Sequence, residues 1–377
     1  MRVLLIEPYF GGSHQAWAEG VAGHSRHQID LLTLPARFWK WRMHGGAVTL
    51  AEAFRQSGLR PEVLLASDML NLPAFLGLAR PFLGRVAVAL YCHENQLTYP
   101  LRPGERRDLA YGVINWLSML AADHVFFNSA YHLEEWFDEL PRLLEHFPDY
   151  THLGCVPEVR SKATVLPVGC DLDRLDAARV GARESDVPLV LWNQRWEYDK
   201  SPEVFFRALD AAAEEGLEFE VALAGTNVRQ KADEFEAARE RLGKRVVHYG
   251  WADAGTYARL LWQADVVVST AIHEFFGISV VEAIYCGCFP ILPRRLAYPE
   301  VVPLTHHECC LYEDLGGLLE RLRWALTHLA QARQKARELR SAVERYGWNV
   351  IGSQYDAALC DLRSRAAPDD LSGDGSC

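Results

Sequence analysis

Short apolar runs alternate with amphipathic stretches through the first half of the chain. The apolar runs predict strands at Val3–Ile6, Ile29–Leu34, Val63–Leu65, Val86–Tyr91, Val125–Phe127 and Thr164–Val168. The stretches between them predict helices at Gln15–Gly23, Glu105–Ala122 and Ala130–Leu140. Strands that are apolar on both faces and separated by helices are typical of a parallel sheet covered on each side. The first half therefore predicts a doubly wound α/β domain.

The same pattern begins again after residues 171–187, which are rich in charged and small side chains. Strands are predicted at Leu189–Trp192, Glu218–Ala224, Val246–Tyr249, Val266–Ser269 and Phe289–Leu292. Helices are predicted at Pro202–Glu215, Lys231–Leu242, Tyr257–Gln263, Ile278–Tyr285, Leu315–Tyr346 and Val350–Leu362. We expect a domain at 1–175 joined by a returning helix at 350–365, a second domain at 185–348, and a disordered tail at 366–377. Two such domains are expected to face one cleft with the carboxyl ends of their sheets.

Composition places the chain among ordinary globular proteins. Its 377 residues are 49% hydrophobic and 24% charged, and 39 basic against 50 acidic residues give a net charge of −11. That charge excludes a global attraction to nucleic acid or membrane, so a polyanion would have to meet a local basic patch. The first apolar run is too short for a signal peptide, and no membrane-spanning segment is present. The nine cysteines show no repeating spacing, which predicts reduced thiols and a cytoplasmic protein.

Two loops of the first domain carry candidate chemistry directly after strands. The loop after the first strand contains Gly11, Gly12, Ser13 and His14. Paired glycines permit close approach of the backbone, and a helix N-terminus offers N–H groups to phosphate, although a plain strand-to-helix turn is the alternative. The loop after the fourth strand contains His93, Glu94 and Asn95. Polar residues at a sheet end favour a functional site over the alternative of a capped turn.

In the second domain, cations and carboxylates follow two strands. Arg195 and Lys200 share a loop and would form a clamp for a diphosphate, with a solvated charged loop as the alternative. Glu274 and Glu282 are expected about 10 Å apart. That separation exceeds the ~5–5.5 Å between the two carboxylates of a double-displacement glycosidase. It suits two carboxylates that bind the two ends of one elongated ligand. The helix start between them would receive phosphates through Gly277, Ile278 and Ser279. The alternative for Glu282 is a partly exposed helix residue, since two glutamates at this spacing are common by chance.

One short segment interleaves aromatic rings with cations, as single-stranded RNA binding requires. It contains Trp39, Lys40, Trp41 and Arg42, and a second basic group contains Arg106 and Arg107. The alternative is a solvated loop with both indoles buried in a core.

A cluster of cysteines and histidines in the second half of the chain raises the hypothesis of a zinc site. Its candidate ligands are Cys286, Cys288, His306, His307, Cys309 and Cys310. The gap in the first cysteine pair is too short for usual zinc ligation, so buried thiols are favoured and no metal site is predicted.

The motifs together resemble a known family. Glu274 and Glu282 stand in a His-Glu-Phe-Phe-Gly…Val-Glu-Ala context with seven residues between them, which with Arg195…Lys200 and Gly11-Gly12 resembles the family-four GT-B glycosyltransferases. A larger ordered set is similar to the tRNA-queuosine alpha-mannosyltransferase group and covers nearly the whole chain. This set comprises Ile6-Glu7…Gly11-Gly12-Ser13-His14, Leu34-Pro35-Ala36…Trp39-Lys40-Trp41-Arg42, His93-Glu94-Asn95-Gln96-Leu97, Asn128-Ser129, Arg195-Trp196-Glu197…Asp199-Lys200 and Tyr285-Cys286-Gly287-Cys288.

The resemblance implies a retaining glycosyltransferase with the GT-B fold, in which a C-terminal helix crosses back to the first domain. It implies transfer of mannose from GDP-mannose to queuosine in the anticodon of tRNA(Asp), without cofactor, metal, membrane or obligate protein partner. Glu274 would hold the sugar hydroxyls and Glu282 the ribose, while Arg195 and Lys200 neutralise the departing diphosphate.

By the same resemblance, Gly11 and Gly12 would admit donor or acceptor, and His93 would lie beside the reacting carbon. Retention without a nearby nucleophilic carboxylate suggests front-face attack, in which the leaving phosphate takes the acceptor proton. Two alternatives stay open. One is a GT-B enzyme that uses another nucleotide sugar on a small molecule or lipid, and the other is a non-catalytic nucleotide-sugar or tRNA-binding module.

Overall fold

A computed structural model describes residues 1–102, 104–181, 183, 185–225 and 233–366. The chain divides into two units, one of Met1–Gly169 together with the segment that begins at Trp348, and one of Cys170–Gly347. Across the described residues, no helix is both long and apolar enough to span a bilayer. Of the expected disordered tail, residues 367–377 lie outside the described ranges.

The first unit is built on one parallel sheet in the order β2-β1-β3-β4-β5-β6. Its strands are β1 (Arg2–Phe10), β2 (Gln28–Pro35), β3 (Val63–Ser67), β4 (Ala87–Cys92), β5 (His124–Phe127) and β6 (Ala163–Val165). The helices before residue 170 are α1 (Gly12–His24), α2 (Trp39–Ser57), α3 (Leu72–Ala79), α4 (Ala110–Ala121), α5 (Ala130–Glu145) and α6 (Val156–Ser161), with a 3-10 turn at Leu153–Cys155. All six predicted strands are confirmed. Because the strand order reverses between β1 and β3, their carboxyl ends border the crevice where such sheets bind ligands.

The structure corrects two helix predictions in this unit. The helix predicted from Glu105 begins only at Ala110, and the segment treated as an aromatic-basic loop is the first turn of α2. α2 buries Met43, Ala47 and Leu50 against the core at helical spacing. The sequence analysis did not detect the helical hydrophobic period of α2, because the other positions of this helix are polar and two adjacent glycines interrupt it. Helix α3 was likewise not predicted.

The second unit holds another parallel sheet, in the order β12-β11-β10-β7-β8-β9. Its strands are β7 (Leu189–Trp192), β8 (Glu220–Ala224), β9 (Val246–Gly250), β10 (Val266–Val268), β11 (Phe289–Pro293) and β12 (Leu311–Tyr312). Its helices are α7 (Leu172–Ala177), α8 (Pro202–Glu214), α9 (Asp233–Leu242), α10 (Ala254–Gln263), α11 (Ile278–Tyr285), α12 (Tyr298–Val301), α13 (His307–Cys310), α14 (Leu315–Thr327) and α15 (Leu329–Val343). Short 3-10 turns occupy Tyr198–Lys200, Gly243–Arg245, Leu304–His306 and Glu344–Tyr346. The order reverses between β7 and β10, which places the expected ligand crevice there.

Five strands of this unit were predicted, and β12 was not. The single helix expected over Leu315–Tyr346 is two helices, because the backbone leaves the helical region at His328. The start of the helix predicted at Lys231 lies outside the described residues, and α9 is described from Asp233.

Helix α16 (Trp348–Ala366) returns to the first unit, as the resemblance implies. The Trp17 indole donates to the Tyr355 hydroxyl at 3.0 Å. The Asp356 carboxylate accepts from the Ser25 hydroxyl at 2.5 Å and from the Arg26 backbone at 3.0 Å. The Trp348 ring is packed so closely on two glycines that a Cβ at Gly20 or Gly169 would lie 2.1 or 2.3 Å from it. The absence of both side chains therefore makes room for the docking of α16.

We expect the Gly20→Ala variant to be destabilised, because its methyl group would displace the Trp348 ring from α1. Overpacking of this kind costs about 1–3 kcal/mol of unfolding free energy. Urea unfolding followed by tryptophan fluorescence measures the change. Gly23→Ala on the same helix is the matched control, since its Cβ meets nothing within 4 Å and a helical alanine is favoured there. Equal responses of the two variants would contradict the packing role of Gly20.

Candidate active site

The ammonium group of Lys200 is the centre of the polar cluster at the switch point of the second sheet. It lies 3.2 Å from Asp199 Oδ2 and 3.2 Å from Glu274 Oε2, and it donates to the His273 carbonyl at 2.7 Å. Burial lowers the pKa of Lys200, but the two carboxylates outweigh burial and raise it above the ordinary lysine value. Burial raises the pKa of Glu274, but Lys200 outweighs burial and holds it below the ordinary value. Both groups therefore stay charged at neutral pH.

Arg195 shares one carboxylate with Lys200. Its guanidinium lies 3.4 Å from Asp199 Oδ2 and 3.8 Å from Glu197 Oε2, and half of the side chain (52%) is exposed. The loop predicted to hold a cation pair thus places both cations around Asp199. A buried ammonium and an exposed guanidinium thus meet at Asp199, and their N–H groups can donate to a diphosphate.

Glu282 is held by two side chains that the sequence did not single out. Its Oε1 lies 3.1 Å from the Arg174 guanidinium, and its Oε2 accepts from the Tyr257 hydroxyl at 2.8 Å. Burial raises the pKa of Glu282, which Tyr257 and Arg174 offset only in part. The carboxylate is buried, so the alternative of an exposed helix residue is wrong. Arg174 and Tyr257 lie on α7 and α10, and no short motif could have linked them to Glu282.

The turn before α11 requires glycine at position 277. Gly277 has φ 93°, and a Cβ there would lie 3.2 Å from the Tyr298 ring. Within the described residues, no side chain caps this helix. The carbonyl of Ser279 accepts from Asn193 Nδ2 at 2.7 Å, which ties α11 to the end of β7. The Val280 N–H of the first turn donates to the Gly277 carbonyl at 3.0 Å, so among the described residues the N–H groups of Ile278 and Ser279 are the ones that remain for an anion.

In the first unit, His14 and His93 meet at the carboxyl ends of β1 and β4. Their ring centroids are 4.3 Å apart, and the His14 Nδ1 lies 3.0 Å from Glu7 Oε2. Burial lowers the pKa of His14, but Glu7 outweighs it and raises the pKa to about 9. Burial and the neighbouring His14 hold the pKa of His93 well below the ordinary value. The pair therefore combines an imidazolium with a neutral imidazole. Glu7, which the sequence analysis quoted within the family motif without assigning it a role, is part of this site.

Asp68, at the end of β3, is a residue that the sequence analysis missed. It is buried beside Glu7 and His14, and burial raises its pKa to about 7. The only sequence signal was its position directly after an apolar strand.

Glu7, His14 and His93 are the metal-ligand group that the described residues offer, with ligand atoms within 4.8 Å of one another. A ligating imidazole must be neutral, whereas Glu7 stabilises the protonated form of His14. This arrangement favours a hydrogen-bonded carboxylate–imidazolium pair over a bound metal.

In the second unit, Cys288 of the zinc hypothesis donates its thiol to the carbonyls of Leu261 and Ala264, as a buried structural cysteine does.

The aromatic-basic segment forms the exposed start of α2. The Lys40 ammonium lies 5.6 Å from the Trp39 ring centre and 5.9 Å from that of Tyr111. Trp41 is 64% exposed, so the alternative with both indoles buried is wrong. Arg42 donates to the Pro35 carbonyl at 3.2 Å. The four side chains thus lie on one helical turn at the protein surface, with the Lys40 ammonium over Trp39 and Tyr111 and with Trp41 pointing in a different direction.

The remaining predicted acceptor residues have mixed environments. Arg107 donates to the carbonyls of Gln96 and Tyr99 and so fixes its own loop, whereas Arg106 is exposed. Asn95 is fully buried and Glu94 is half-buried.

Local packing and backbone conformation by themselves favour glycine at both positions of the loop after β1. A Cβ at Gly11 would lie 2.5 Å from the Ala36 side chain, and Gly12 has φ 57° in open space. Ser13 is exposed.

Comparisons with known proteins show what the chain is similar to. Residues 2–170 match the family described as tRNA-queuosine alpha-mannosyltransferase N-terminal, and residues 173–333 match Glycosyl transferases group 1. The tRNA-queuosine alpha-mannosyltransferase of Drosophila melanogaster is 34% identical over 329 residues, which cover 85% of each chain.

Two solved structures illustrate the fold. Sucrose-phosphate synthase from Thermosynechococcus elongatus has a TM-score of 0.73 at 17% identity, covering 97% of this chain and 100% of that one. The catalytic domain of starch synthase IV from Arabidopsis thaliana, bound to ADP and acarbose, has a TM-score of 0.71 at 14% identity, covering 97% and 99%. These likenesses confirm the GT-B fold.

The Glu7–His14 pair predicts a pH-dependent stability. The pKa of His14 is 6.5 in the unfolded chain and about 9 in the folded protein, so the protonated ring stabilises the folded state. This stabilisation is fully present below pH 6.5 and is lost as the pH rises through about 9. We expect His14→Asn to lower the free energy of unfolding by up to about 3 kcal/mol at pH 6, with a difference that shrinks toward pH 9.5.

Thermal unfolding of both proteins across that pH range measures the effect. His146→Asn, at an exposed histidine, is the control and should track the wild type. A deficit in His14→Asn that is constant with pH would count against the charged pair.

Proposed function

Because the chain belongs to the tRNA-queuosine alpha-mannosyltransferase family, we propose that this glycosyltransferase transfers mannose from GDP-mannose to the queuosine of tRNA(Asp). The observation that carries the proposal is the Arg195–Asp199–Lys200–Glu274 cluster at the switch point of the second sheet. A non-catalytic binding module is less favoured, because a protein that had lost activity need not keep both the cation pair and the two motif glutamates. No metal or other cofactor takes part in the proposed reaction.

The second unit would bind the donor. Arg195 and Lys200 would neutralise the diphosphate as it departs, and the free N–H groups of α11 add a partial positive charge. Glu274, which stays ionised beside Lys200, is suited to accept hydrogen bonds from sugar hydroxyls. Glu282 would contact the ribose, and its two hydrogen-bonded partners fix its orientation.

Front-face displacement is the step that these charges favour. Glu274 is ion-paired and hydrogen-bonded to Lys200, which makes it a poor nucleophile for a covalent intermediate. The bond from the sugar carbon to the phosphate oxygen would break as the acceptor oxygen bonds to that carbon on the same face. The departing phosphate oxygen would then take the acceptor proton, so atoms and charge balance without a further base.

The first unit would bind the acceptor. The exposed start of α2 offers Trp41 for stacking on an unpaired base and Lys40 for a phosphate. A local patch of this kind is what an acidic protein needs to bind an anticodon loop. The neutral His93 at the end of β4 would lie next to the reacting groups and can donate or accept one hydrogen bond there.

Transfer of radiolabelled mannose from GDP-mannose tests the proposal. The acceptors are tRNA from queuosine-proficient cells, tRNA from queuosine-deficient cells, and purified tRNA(Asp). We expect label only in queuosine-containing tRNA, and a loss of about 100-fold or more in kcat for Glu274→Ala and Lys200→Met. Glu313→Gln, at an exposed carboxylate of the same unit, is the control and should keep full activity.

The outcomes separate the parts of this proposal. Label from UDP-glucose instead of GDP-mannose would overturn the donor, and label in queuosine-free tRNA would overturn the acceptor. Incorporation that survives Glu274→Ala would overturn the assignment of the site.

The start of α2 predicts a salt-dependent contribution to tRNA binding. We expect Lys40→Ala with Arg42→Ala to weaken binding and to reduce the slope of log K against log salt by about 1.5, because two cations that would each meet a phosphate are removed. Filter binding at several salt concentrations measures both quantities. Arg55→Ala is the matched control, since Arg55 lies on the same helix in an ion pair with Glu52. An unchanged slope in the double variant would overturn the RNA-binding role.

A further inference from the structure

Three buried polar atoms at the carboxyl ends of β3 and β4 have no hydrogen-bond partner among the described residues. They are Asp68 Oδ1, His93 Nε2 and Asn95 Nδ2. The exposed fractions of the three residues are 4%, 9% and 0%. Asp68 accepts from the backbone of Glu94, the residue between His93 and Asn95, so the three side chains lie on neighbouring chain segments. An unsatisfied buried polar group costs about 1–3 kcal/mol, so a ligand that satisfies all three would be stabilised there.

The other atoms of these side chains are fixed by the fold. Asp68 Oδ2 accepts from the Glu94 backbone N–H at 3.0 Å, and Asn95 Oδ1 accepts from the Leu97 backbone N–H at 2.8 Å. The His93 ring packs at 4.3 Å from the ring of His14 and at 4.6 Å, edge to face, from that of Trp17. Each unpartnered atom is therefore held in one orientation before any ligand arrives.

The three atoms also have complementary hydrogen-bonding roles. Asp68 offers a carboxylate acceptor, Asn95 offers an amide donor, and the neutral His93 ring offers a nitrogen that either donates or accepts. A hydroxyl group both donates and accepts one hydrogen bond, so two adjacent hydroxyls on a ring can satisfy this set. A phosphate fits this set less well, because it would add negative charge beside Asp68, whose raised pKa of about 7 leaves it about half ionised at neutral pH.

We propose that Asp68, His93 and Asn95 form a binding site for a vicinal diol on a ring, with Asp68 accepting a hydrogen bond from one hydroxyl and Asn95 donating to the other. This inference rests on the proposed function and adds the residues that recognise hydroxyl groups in the first unit. Such a diol is carried both by a hexose of the donor and by the cyclopentene ring of queuosine. Both the hexose and the cyclopentene ring would present the same pair of hydroxyl groups, and the experiment below distinguishes them.

The experiment measures equilibrium binding by full-length wild-type and Asp68→Asn protein. The ligand pairs are queuosine-containing against queuosine-free tRNA, and GDP-mannose against GDP. Asp68→Asn keeps an oxygen for the Glu94 N–H and removes the carboxylate charge. We expect it to weaken binding of queuosine-containing tRNA or of GDP-mannose by about tenfold or more. The other member of that pair, which lacks the cyclopentene diol or the hexose, should stay within about twofold. The ribose diol is common to GDP and GDP-mannose and so cancels within that pair.

A second site variant and a control variant accompany Asp68→Asn in these binding measurements. Asn95→Asp keeps the oxygen that accepts from Leu97 and replaces the free donor by an acceptor, so it should show the same selective loss. Asp123→Asn is the control, because Asp123 accepts from the Val88 backbone N–H at the opposite end of β4 and should bind like the wild type. Unchanged melting temperatures would show that the variants are folded.

Each outcome has a defined meaning. A selective loss for queuosine-containing tRNA assigns the diol to the acceptor, and a selective loss for GDP-mannose assigns it to the donor. Unchanged binding, an equal loss for both members of each pair, or a wild-type protein that does not prefer either diol-bearing ligand would overturn the inference. A wild-type protein that binds selectively yet transfers no mannose would overturn the proposed reaction alone.

Discussion

In a parallel sheet covered on both faces, polar side chains reach a ligand chiefly at and beyond the carboxyl ends of the strands. In β3, β4 and β7 every residue is buried, so no position along these strands can present a functional group to solvent. The chain therefore concentrates its chemistry in the residues that follow each strand. Asp68 and His93 come directly after β3 and β4, and Asn193 comes directly after β7. The location of both sites follows from this constraint.

Charged groups at these buried ends need partners, and the partners determine how rigid the sites are. Lys200 is matched by Asp199 and Glu274, and His14 is matched by Glu7. Removing one member of such a pair leaves an uncompensated buried charge, which costs several kcal/mol. The same pairing holds each side chain in one orientation before a ligand arrives, and preorganised charge is what stabilises a transition state at low cost.

The sequence predicted the parts of the fold that depend on local pattern. Continuous apolar runs identified the strands of both sheets except the two-residue β12, and the glycine at 277 marked the start of α11. It did not predict α2, since Gly45 and Gly46 interrupt an otherwise helical period. The long-range partners were also beyond reach. Arg174 is 108 residues from Glu282, and only the packing of α7 and α11 in the folded unit brings them together.

The two glutamates of the glycosyltransferase motif show why spacing alone does not assign roles. Glu274 and Glu282 are eight positions apart, yet an ammonium lowers the pKa of the first and burial raises that of the second. A carboxylate that remains ionised beside Lys200 can accept hydrogen bonds from a sugar as charge develops nearby. One that is fixed by Arg174 and the Tyr257 hydroxyl serves better as an oriented contact. Environments that shift two like groups in opposite directions separate their functions, so the pair works as two different groups on one ligand.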